Sequence, residues 1–184
     1  MPMTLGEAAR LAGGHRWVEG RLFEILGGWV ASTAEVDAKL LFDRHSQHHA
    51  WRADQWWDRL PLLADVDRDA LVVAPSAAVA DAVDALAEVA AARSEVAGAV
   101  TRLAGVYRVA LPRLARAYQR HRSQSSPASD GATIRTLDLL LPDVAADWRE
   151  GEFLLQKLLV DEAAVETAAA TVARLERLMA GSSD

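Results

Sequence analysis

The chain has 184 residues, of which 51% are hydrophobic, so we expect a single domain, residues 1–184, with a sizeable core. The formal net charge of −6 argues against nucleic-acid binding through a basic surface. The absence of cysteine excludes disulfides, thiol nucleophiles and thiolate metal sites. Residues 1–6 do not form a basic segment followed by an apolar one, and no apolar run reaches about 18 residues. We therefore expect a cytoplasmic protein with no membrane partner. Eighteen arginines against two lysines suggest a GC-rich bacterial gene.

The first half of the chain predicts two long helices. Apolar residues recur with helical periodicity over residues 4–30, which predicts the first helix. Ser32 is followed three residues later by Glu35, a spacing typical of a capping box at the start of a second helix. That helix is expected to end just before Pro61, because the residue preceding proline resists the helical conformation.

A third long helical stretch is predicted after a connection. Ser76 is suited to cap it, and the periodicity continues over residues 77–122. This length is too great for one straight helix of a bundle, so we expect a kink or break at Pro112, with Gly105 as a second weak point.

The last third of the chain predicts a loop and two further helices. Residues 123–131 are rich in serine and contain proline and glycine, which is typical of a mobile surface loop. A fourth helix is predicted over residues 132–160 and a fifth over residues 161–179, with its apolar face rotated from that of the fourth. The predicted fold class is therefore all-α, a bundle of four long helices with a shorter fifth at the C-terminus.

Polar residues interrupt the apolar faces of these helices. His15 and Glu19 lie four residues apart on the first helix, and His45 and His49 have the same spacing on the second. Because buried polar groups are costly unless they are paired, such residues should form one shared polar layer inside the bundle. The predicted members of this layer are His15, Glu19, His45, His49, Arg52, Arg93 and Glu152.

Four stretches resemble the ferritin-like superfamily and, within it, an uncharacterised actinobacterial group with a degenerate di-iron motif. They are residues 21–30 (RLFEILGGWV), 45–56 (HSQHHAWRADQW), 102–114 (RLAGVYRVALPRL) and 143–152 (DVAADWREGE). The resemblance implies a ferritin-like four-helix bundle with a short fifth helix. No function of that group carries over to this chain.

The di-iron ligands of ferritin-like proteins fit the first two helices of this chain poorly. Such a centre takes Glu from two helices and a Glu-x-x-His motif from each of two others. Glu19 matches the carboxylate of the first helix, but the Glu position before His49 is Ser46. Placing the motif on His45 instead puts Phe42 at the Glu position.

The other two helices lack further ligands. The inward residue of the third helix is Arg93, a cation that would repel a metal ion. On the fourth helix the motif falls on Val144 and Asp147 instead of Glu and His. Since at least three of the six ligands are missing, we do not expect a standard di-iron centre.

Three interpretations of the polar layer stay open. It is a structural network without a cofactor, in which the histidines bond to Glu19 and Glu152. Alternatively, it is a mononuclear iron or manganese site, since two histidines with a carboxylate form a facial triad. As a third interpretation, the same groups line a pocket for a small-molecule ligand in the bundle core. The ligands of the metal alternative would be Glu19, His45, His49 and Glu152.

The remaining histidines and several tryptophans are predicted to lie outside this layer. We place His48 on the flank of the second helix, and we interpret His121 with its neighbouring arginines as a solvated helix end, the alternative being an anion or nucleic-acid patch. Trp17, Trp51 and Trp57 fall on outer faces, which suggests a partner surface or cover by the fifth helix. A homodimer through the first two helices is the expected assembly.

Three functions follow from these observations. The leading hypothesis is a binding, scaffold or accessory protein without a cofactor. The alternatives are a metal-dependent non-haem oxidoreductase that uses the four ligands above, and a metal-free enzyme in which one buried histidine, oriented by Glu19, is a general base.

Overall fold

The structure is a computed structural model that describes residues 3–62, 64, 66–88 and 95–180, and all regular elements in these residues are helical. The all-α prediction is therefore confirmed. The α-helices are α1 (Leu5–Val30), α2 (Val36–Trp57), α3 (Ala77–Ala87), α4 (Glu95–Ala104), α5 (Leu111–Gln124), α6 (Gly131–Leu158) and α7 (Glu162–Ala180). A short 3-10 turn, Asp69–Leu71, lies between α2 and α3. None of the described helices has the length and apolar character that crossing a membrane requires.

Helices α1 and α2 form an antiparallel pair. The Trp29 ring contacts the Phe42 ring at 5.4 Å between centroids near one end of the pair, and the His15 ring contacts the Trp56 ring at 4.6 Å near the other. At the start of α1 a reciprocal capping box joins the Thr4 side chain to the backbone of Glu7 and the Glu7 side chain to the backbone of Thr4. This pairing brings Glu19 of α1 beside His49 and Arg52 of α2.

The predicted capping box of α2 is wrong. The N-cap of α2 is Glu35, whose carboxylate accepts from the Ala38 backbone at 3.2 Å. The hydroxyls of Ser32 and Thr33 instead donate to the carbonyl oxygen of Trp29 and accept from Arg102. These contacts end α1 and attach it to α4, and Ser32 lies three residues before the N-cap of α2.

The third predicted helix is divided. Helix α3 ends at Ala87, residues 89–94 lie outside the described residues, and α4 continues into α5 through a π-helical segment, Gly105–Ala110. Pro112 lies in the first turn of α5. A proline has no backbone N–H and its ring clashes with the carbonyl four residues earlier, so the wider turn upstream accommodates it. The irregularity predicted at Pro112 and Gly105 is therefore a π-helical widening between them.

Helices α5 and α6 also run antiparallel. Arg122 pairs with Asp138 at one end, and Arg108, in the π-helical segment, pairs with Glu152 at the other. Residues 125–130 connect the two helices where the loop was predicted. Helix α7 begins after Asp161, whose carboxylate accepts from the Ala164 backbone at 2.8 Å, and it packs against α3 and α4.

Candidate functional site

A fully buried carboxylate, Glu19 of α1, lies between three helices. His49 Nδ1 of α2 is 2.5 Å from Glu19 Oε2. Arg52 Nε of α2 donates to Glu19 Oε1 at 3.0 Å, and the Tyr118 hydroxyl of α5 donates to the same oxygen at 2.5 Å. Because a buried carboxylate is costly unless its oxygens accept hydrogen bonds, these contacts explain how Glu19 can occupy the core.

Arg52 extends this network to α6. Its Nη1 group donates to Asp147 Oδ2 at 2.8 Å and to Asp143 Oδ2 at 2.5 Å. Asp143 and Asp147 are four residues apart on α6, so both carboxylates project from one face toward the same guanidinium group. Arg52 is itself fully buried, and its charge is balanced by carboxylates from two helices.

Glu19 and His49 respond to burial in opposite ways. Burial raises the pKa of Glu19, but the charge of Arg52 and the hydrogen bonds from His49 and Tyr118 lower it by more, so the net shift is downward. Burial lowers the pKa of His49 and outweighs the attraction of Glu19. The centre of the fold therefore contains an ionised carboxylate–guanidinium pair beside an imidazole that burial keeps neutral.

His45 lies one turn before His49 and has other partners. Its Nδ1 atom is 2.8 Å from the hydroxyl of Tyr107 in the π-helical segment, and its Nε2 atom is 3.2 Å from Glu150 Oε2 and 3.5 Å from Asp147 Oδ1. Burial lowers the pKa of His45 to about 4, more than the nearby Asp147 and Glu150 raise it. His45 is thus a neutral imidazole between a phenol and two carboxylates.

His48, predicted on the flank of α2, also reaches α6. Its Nδ1 atom lies 2.8 Å from Asp147 Oδ1, and its ring stacks on that of His45 at 5.4 Å between centroids. His48 is half-buried, whereas His45 is fully buried. The flank position is therefore part of the α2–α6 interface.

His15 belongs to a second cluster, away from α6. Its Nε2 atom lies 3.1 Å from His121 Nδ1, and its ring contacts those of Trp56 and Tyr118. Burial, followed by the charge of His121, lowers the pKa of His15 to about 3. The interpretation of His121 as a solvated residue is wrong, because it is only 1% exposed and stacks on Trp56. His121 is buried because α5 packs against α1 and α2, a contact that helix periodicity does not reveal.

The predicted residues do not form one shared polar layer, because His15 belongs to the second cluster and Glu152 lies elsewhere. The half-buried Glu152 accepts from Arg108 at 2.8 and 3.1 Å, on a different part of α6. Arg93 lies outside the described residues. The ligand set predicted for a metal, Glu19, His45, His49 and Glu152, therefore does not converge on one point. In the described part of the chain, the histidines and carboxylates close enough to share an ion are His45, His48 and Asp147.

Several site residues were missed by the sequence reasoning. In the sequence, Tyr107 and Tyr118 fall on the apolar face of the third predicted helix, and a buried tyrosine hydroxyl needs a partner, so the sequence carries a signal for both. In the sequence, Asp147 falls only at the edge of the apolar face of the fourth predicted helix. Its role depends on Arg52 and His48 of α2, and no spacing within α6 indicates that contact.

A cavity of about 370 Å³ lies beside the His15–His121 pair. Its walls come mainly from α1, α3 and α5. The inner part is mostly aliphatic and is lined by the buried or half-buried residues Leu11, Val18, Leu22, Val79, Val83 and Leu114. His15 and His121 also line it, and His121 Nε2 has no hydrogen-bond partner among the described residues.

The outer part of this cavity is cationic. Arg10, Arg113, Arg116 and Arg120 all line it. Arg113 is paired with Glu176, whereas the other three are exposed and form no ion pair with any residue in the described ranges. Exposed cations around an aliphatic cavity are suited to hold an anion with an apolar body.

In comparisons with known proteins, no family model, curated protein or solved structure matches this chain. The case for its function therefore depends on the geometry of these clusters.

Proposed function

We propose that this protein binds a small organic acid with an apolar body in the cavity between α1, α3 and α5. The observation that carries the proposal is the combination, in one cavity, of aliphatic walls, an unpartnered buried histidine nitrogen and unpaired arginines at the outer edge. A binding protein was also the leading hypothesis from the sequence. Among the described residues of the predicted polar layer, however, His15 alone lines this cavity.

Size and wall chemistry support an apolar ligand body. A volume of about 370 Å³ is within the range of small-molecule sites, which are mostly apolar with a few polar groups that fix orientation. Leu22, Val83 and Leu114 are buried and would contact the ligand body. Burial of each methylene contributes about 0.8 kcal/mol, so a short alkyl chain would supply most of the affinity.

The charge distribution supports an acidic head group. The whole chain carries a net charge of −6, yet Arg116 and Arg120 line this cavity without an ion-pair partner among the described residues. Guanidinium groups form strong, charge-assisted hydrogen bonds with carboxylates. A carboxylate ligand would give these arginines the ion-pair partner that the other described residues do not provide.

In this proposal, the Glu19–Arg52 network is structural. A general base needs contact with substrate, but His49 is fully buried, its Nε2 atom has no partner among the described residues, and it does not line the cavity. Buried ion pairs of this kind are suited to specify one packing of the helices. The metal-free enzyme hypothesis therefore has less support than the binding hypothesis.

We also propose that the fold is a ferritin-like bundle formed by α1, α2, the helical segment 95–124 and α6. Two antiparallel pairs, α1 with α2 and α5 with α6, enclose polar residues from all four helices, and this arrangement supports the proposal. Arg52 lies between Glu19 and Asp147, so its guanidinium group occupies the place where facing carboxylates would otherwise share metal ions.

Calorimetric titration with hexanoate, octanoate and decanoate tests the binding proposal, with 1-decanol as the uncharged control. We expect saturable binding that tightens with chain length and is stronger for decanoate than for decanol. The double variant Arg116→Ala/Arg120→Ala should bind decanoate at least about tenfold more weakly, or roughly 1.4 kcal/mol.

Arg149→Ala is the matched control, because Arg149 is an exposed arginine that does not line the cavity. It should bind decanoate as the wild type does. Equal affinity of the double variant and the wild type, or no preference for the acid over the alcohol, would contradict the proposal.

A further inference from the structure

The interface between α2 and α6 brings three donor atoms together outside the cavity. His45 Nε2 and His48 Nδ1 both approach Asp147 Oδ1, and one donor atom from each of the three residues lies within 4.8 Å of the others. His45 and His48 are three residues apart on α2, so their rings project on neighbouring faces of one turn, and Asp147 approaches from α6.

The separations suit one metal ion. His48 Nδ1 is 2.8 Å and His45 Nε2 is 3.5 Å from the same Asp147 oxygen. Donor atoms bound to one zinc ion at about 2.0–2.1 Å lie roughly 3–3.5 Å apart, so only small side-chain adjustments are needed. Two imidazoles with one carboxylate are a ligand set typical of first-row divalent transition metals.

We propose that His45, His48 and Asp147 form a mononuclear site for a first-row divalent transition-metal ion such as Zn²⁺ or Fe²⁺. This site is separate from the cavity of the proposed function, and it differs from the ligand set predicted from the sequence. Of that set it retains His45 alone, because Glu19 and His49 contact each other and Arg52.

The residues behind the donors are arranged to orient them. The Tyr107 hydroxyl lies 2.8 Å from His45 Nδ1, which directs Nε2 toward the shared point. Arg52 donates to Asp147 Oδ2 at 2.8 Å, which leaves Oδ1 directed to the two histidines. Hydrogen bonds to the far side of each ligand are the usual support of protein metal sites.

The local charge favours a divalent cation. The connected ion pairs join four carboxylates, Glu19, Asp143, Asp147 and Glu150, to two guanidinium groups, Arg52 and Arg44. The excess of two negative charges equals the charge of one divalent ion. The cation would reduce the repulsion among carboxylates that share a partly buried interface.

The site is accessible from solvent on one side. The side chains of His48 and Glu150 are 38% and 53% exposed, whereas His45 and Asp147 are buried. Glu150 Oε2 lies 3.2 Å from His45 Nε2, at the exposed edge of the site. An ion can therefore enter from the side of His48 and keep positions open for water.

Titration of the full-length, EDTA-treated protein with Co²⁺ tests this proposal, followed by competition with Zn²⁺. We expect one Co²⁺ per chain, with visible absorption bands that Zn²⁺ abolishes. His48→Ala should weaken Co²⁺ binding by at least about tenfold, because a direct ligand is lost. His48 is half-buried, so circular dichroism should show a folded variant.

Two further variants separate ligation from a structural role. Tyr107→Phe keeps the ring and removes only the hydroxyl, so it should weaken binding by about 10–100-fold and shift the absorption bands. Glu152→Gln removes the carboxylate that the sequence predicted as a ligand, and it should leave Co²⁺ affinity unchanged.

The proposal would be overturned by equal Co²⁺ affinity of the folded His48→Ala variant and the wild type. Loss of binding in Glu152→Gln, or no saturable binding below about 1 mM Co²⁺, would also overturn it. Decanoate titration of His48→Ala should match the wild type, so failure of the metal site is distinguishable from failure of the proposed acid-binding cavity.

Discussion

Arg52 determines the character of the polar core. Its side chain is fully buried and contacts carboxylates from α1 and α6, and its partner Asp147 lies 95 residues further along the chain. A buried ion pair of this kind adds little net stability over a well-packed apolar pair, but removing one partner leaves an uncompensated charge. The effect of a mutation here therefore depends on which partner remains.

Replacing Arg52 with Met should destabilise the protein by about 3–5 kcal/mol, because Glu19 and Asp147 lose their cation in the core. Urea unfolding followed by circular dichroism measures the change. The double variant Glu19→Gln/Arg52→Met should recover part of the loss, since one buried charge is removed together with its partner. Arg149→Met, at an exposed position, should stay within about 0.5 kcal/mol of the wild type. An Arg52→Met variant as stable as this control would contradict the prediction.

Stability should fall as the pH decreases from 7 to 5, partly because of His15. Its pKa of about 3 in the folded protein lies below the value of about 6.5 expected in the unfolded chain. The unfolded state therefore binds a proton that the folded state does not, and stability decreases with falling pH between these two values. The groups that face His15 are the rings of Trp56, Tyr118 and His121, and none of them is a carboxylate that would stabilise an imidazolium.

Urea unfolding of His15→Gln and the wild type at pH 7 and pH 5 measures this contribution. The variant should lack up to about 1.4 kcal/mol per pH unit of the wild-type slope. Identical slopes for the two proteins would show that His15 does not titrate differently on unfolding.

At the scale of the helices, the contact between the π-helical segment and α6 positions His45. Tyr107 belongs to this segment, and its ring packs directly over the Cα atom of Gly151 on α6. A Cβ atom at residue 151 would overlap the Tyr107 ring. The absence of a side chain at Gly151 therefore allows the ring to lie there and its hydroxyl to reach His45 Nδ1.

Gly151→Ala should destabilise the protein by about 1–3 kcal/mol through overpacking, although alanine is the better helix former. Gly28→Ala is the matched control, since Gly28 lies in α1 with open space around its Cα atom. That variant should be more stable than the wild type by up to about 1 kcal/mol. Thermal and urea unfolding of both variants measure the difference, and a stabilised Gly151→Ala variant would contradict the packing argument.

At the scale of the whole molecule, the outer faces of α1 and α2 carry exposed aromatic residues. Phe23 and Trp51 are 44% and 42% exposed. Trp17 and Trp57, predicted on the same outer faces, are partly buried against the core, and Trp57 lies beneath Arg68. Exposed aromatic residues on long helices are typical of surfaces that bind a partner, so the homodimer predicted from the sequence stays a proposal for α1 and α2.

Sedimentation velocity tests this proposal. The wild type should sediment as a dimer at about 50 µM, and Phe23→Glu/Trp51→Glu should sediment as a monomer, because two charges on each copy would face each other across the interface. A double charge substitution on an exposed part of α7, Val165→Glu/Ala169→Glu, should leave the dimer intact. A wild type that is monomeric at this concentration would remove the proposal.

The sequence by itself determined the all-α class, the approximate boundaries of every predicted helix but the third, and the burial of Glu19, His45, His49 and Arg52, because these depend on periodicity along single helices. Only the tertiary structure decided which groups meet. Asp147, Tyr107 and Tyr118 reach α1 and α2 through the packing of α5 and α6, and Glu152 is taken by Arg108 instead. The physical reason is that helical spacing specifies the face of a residue, whereas its partner depends on the rotation and offset of a second helix.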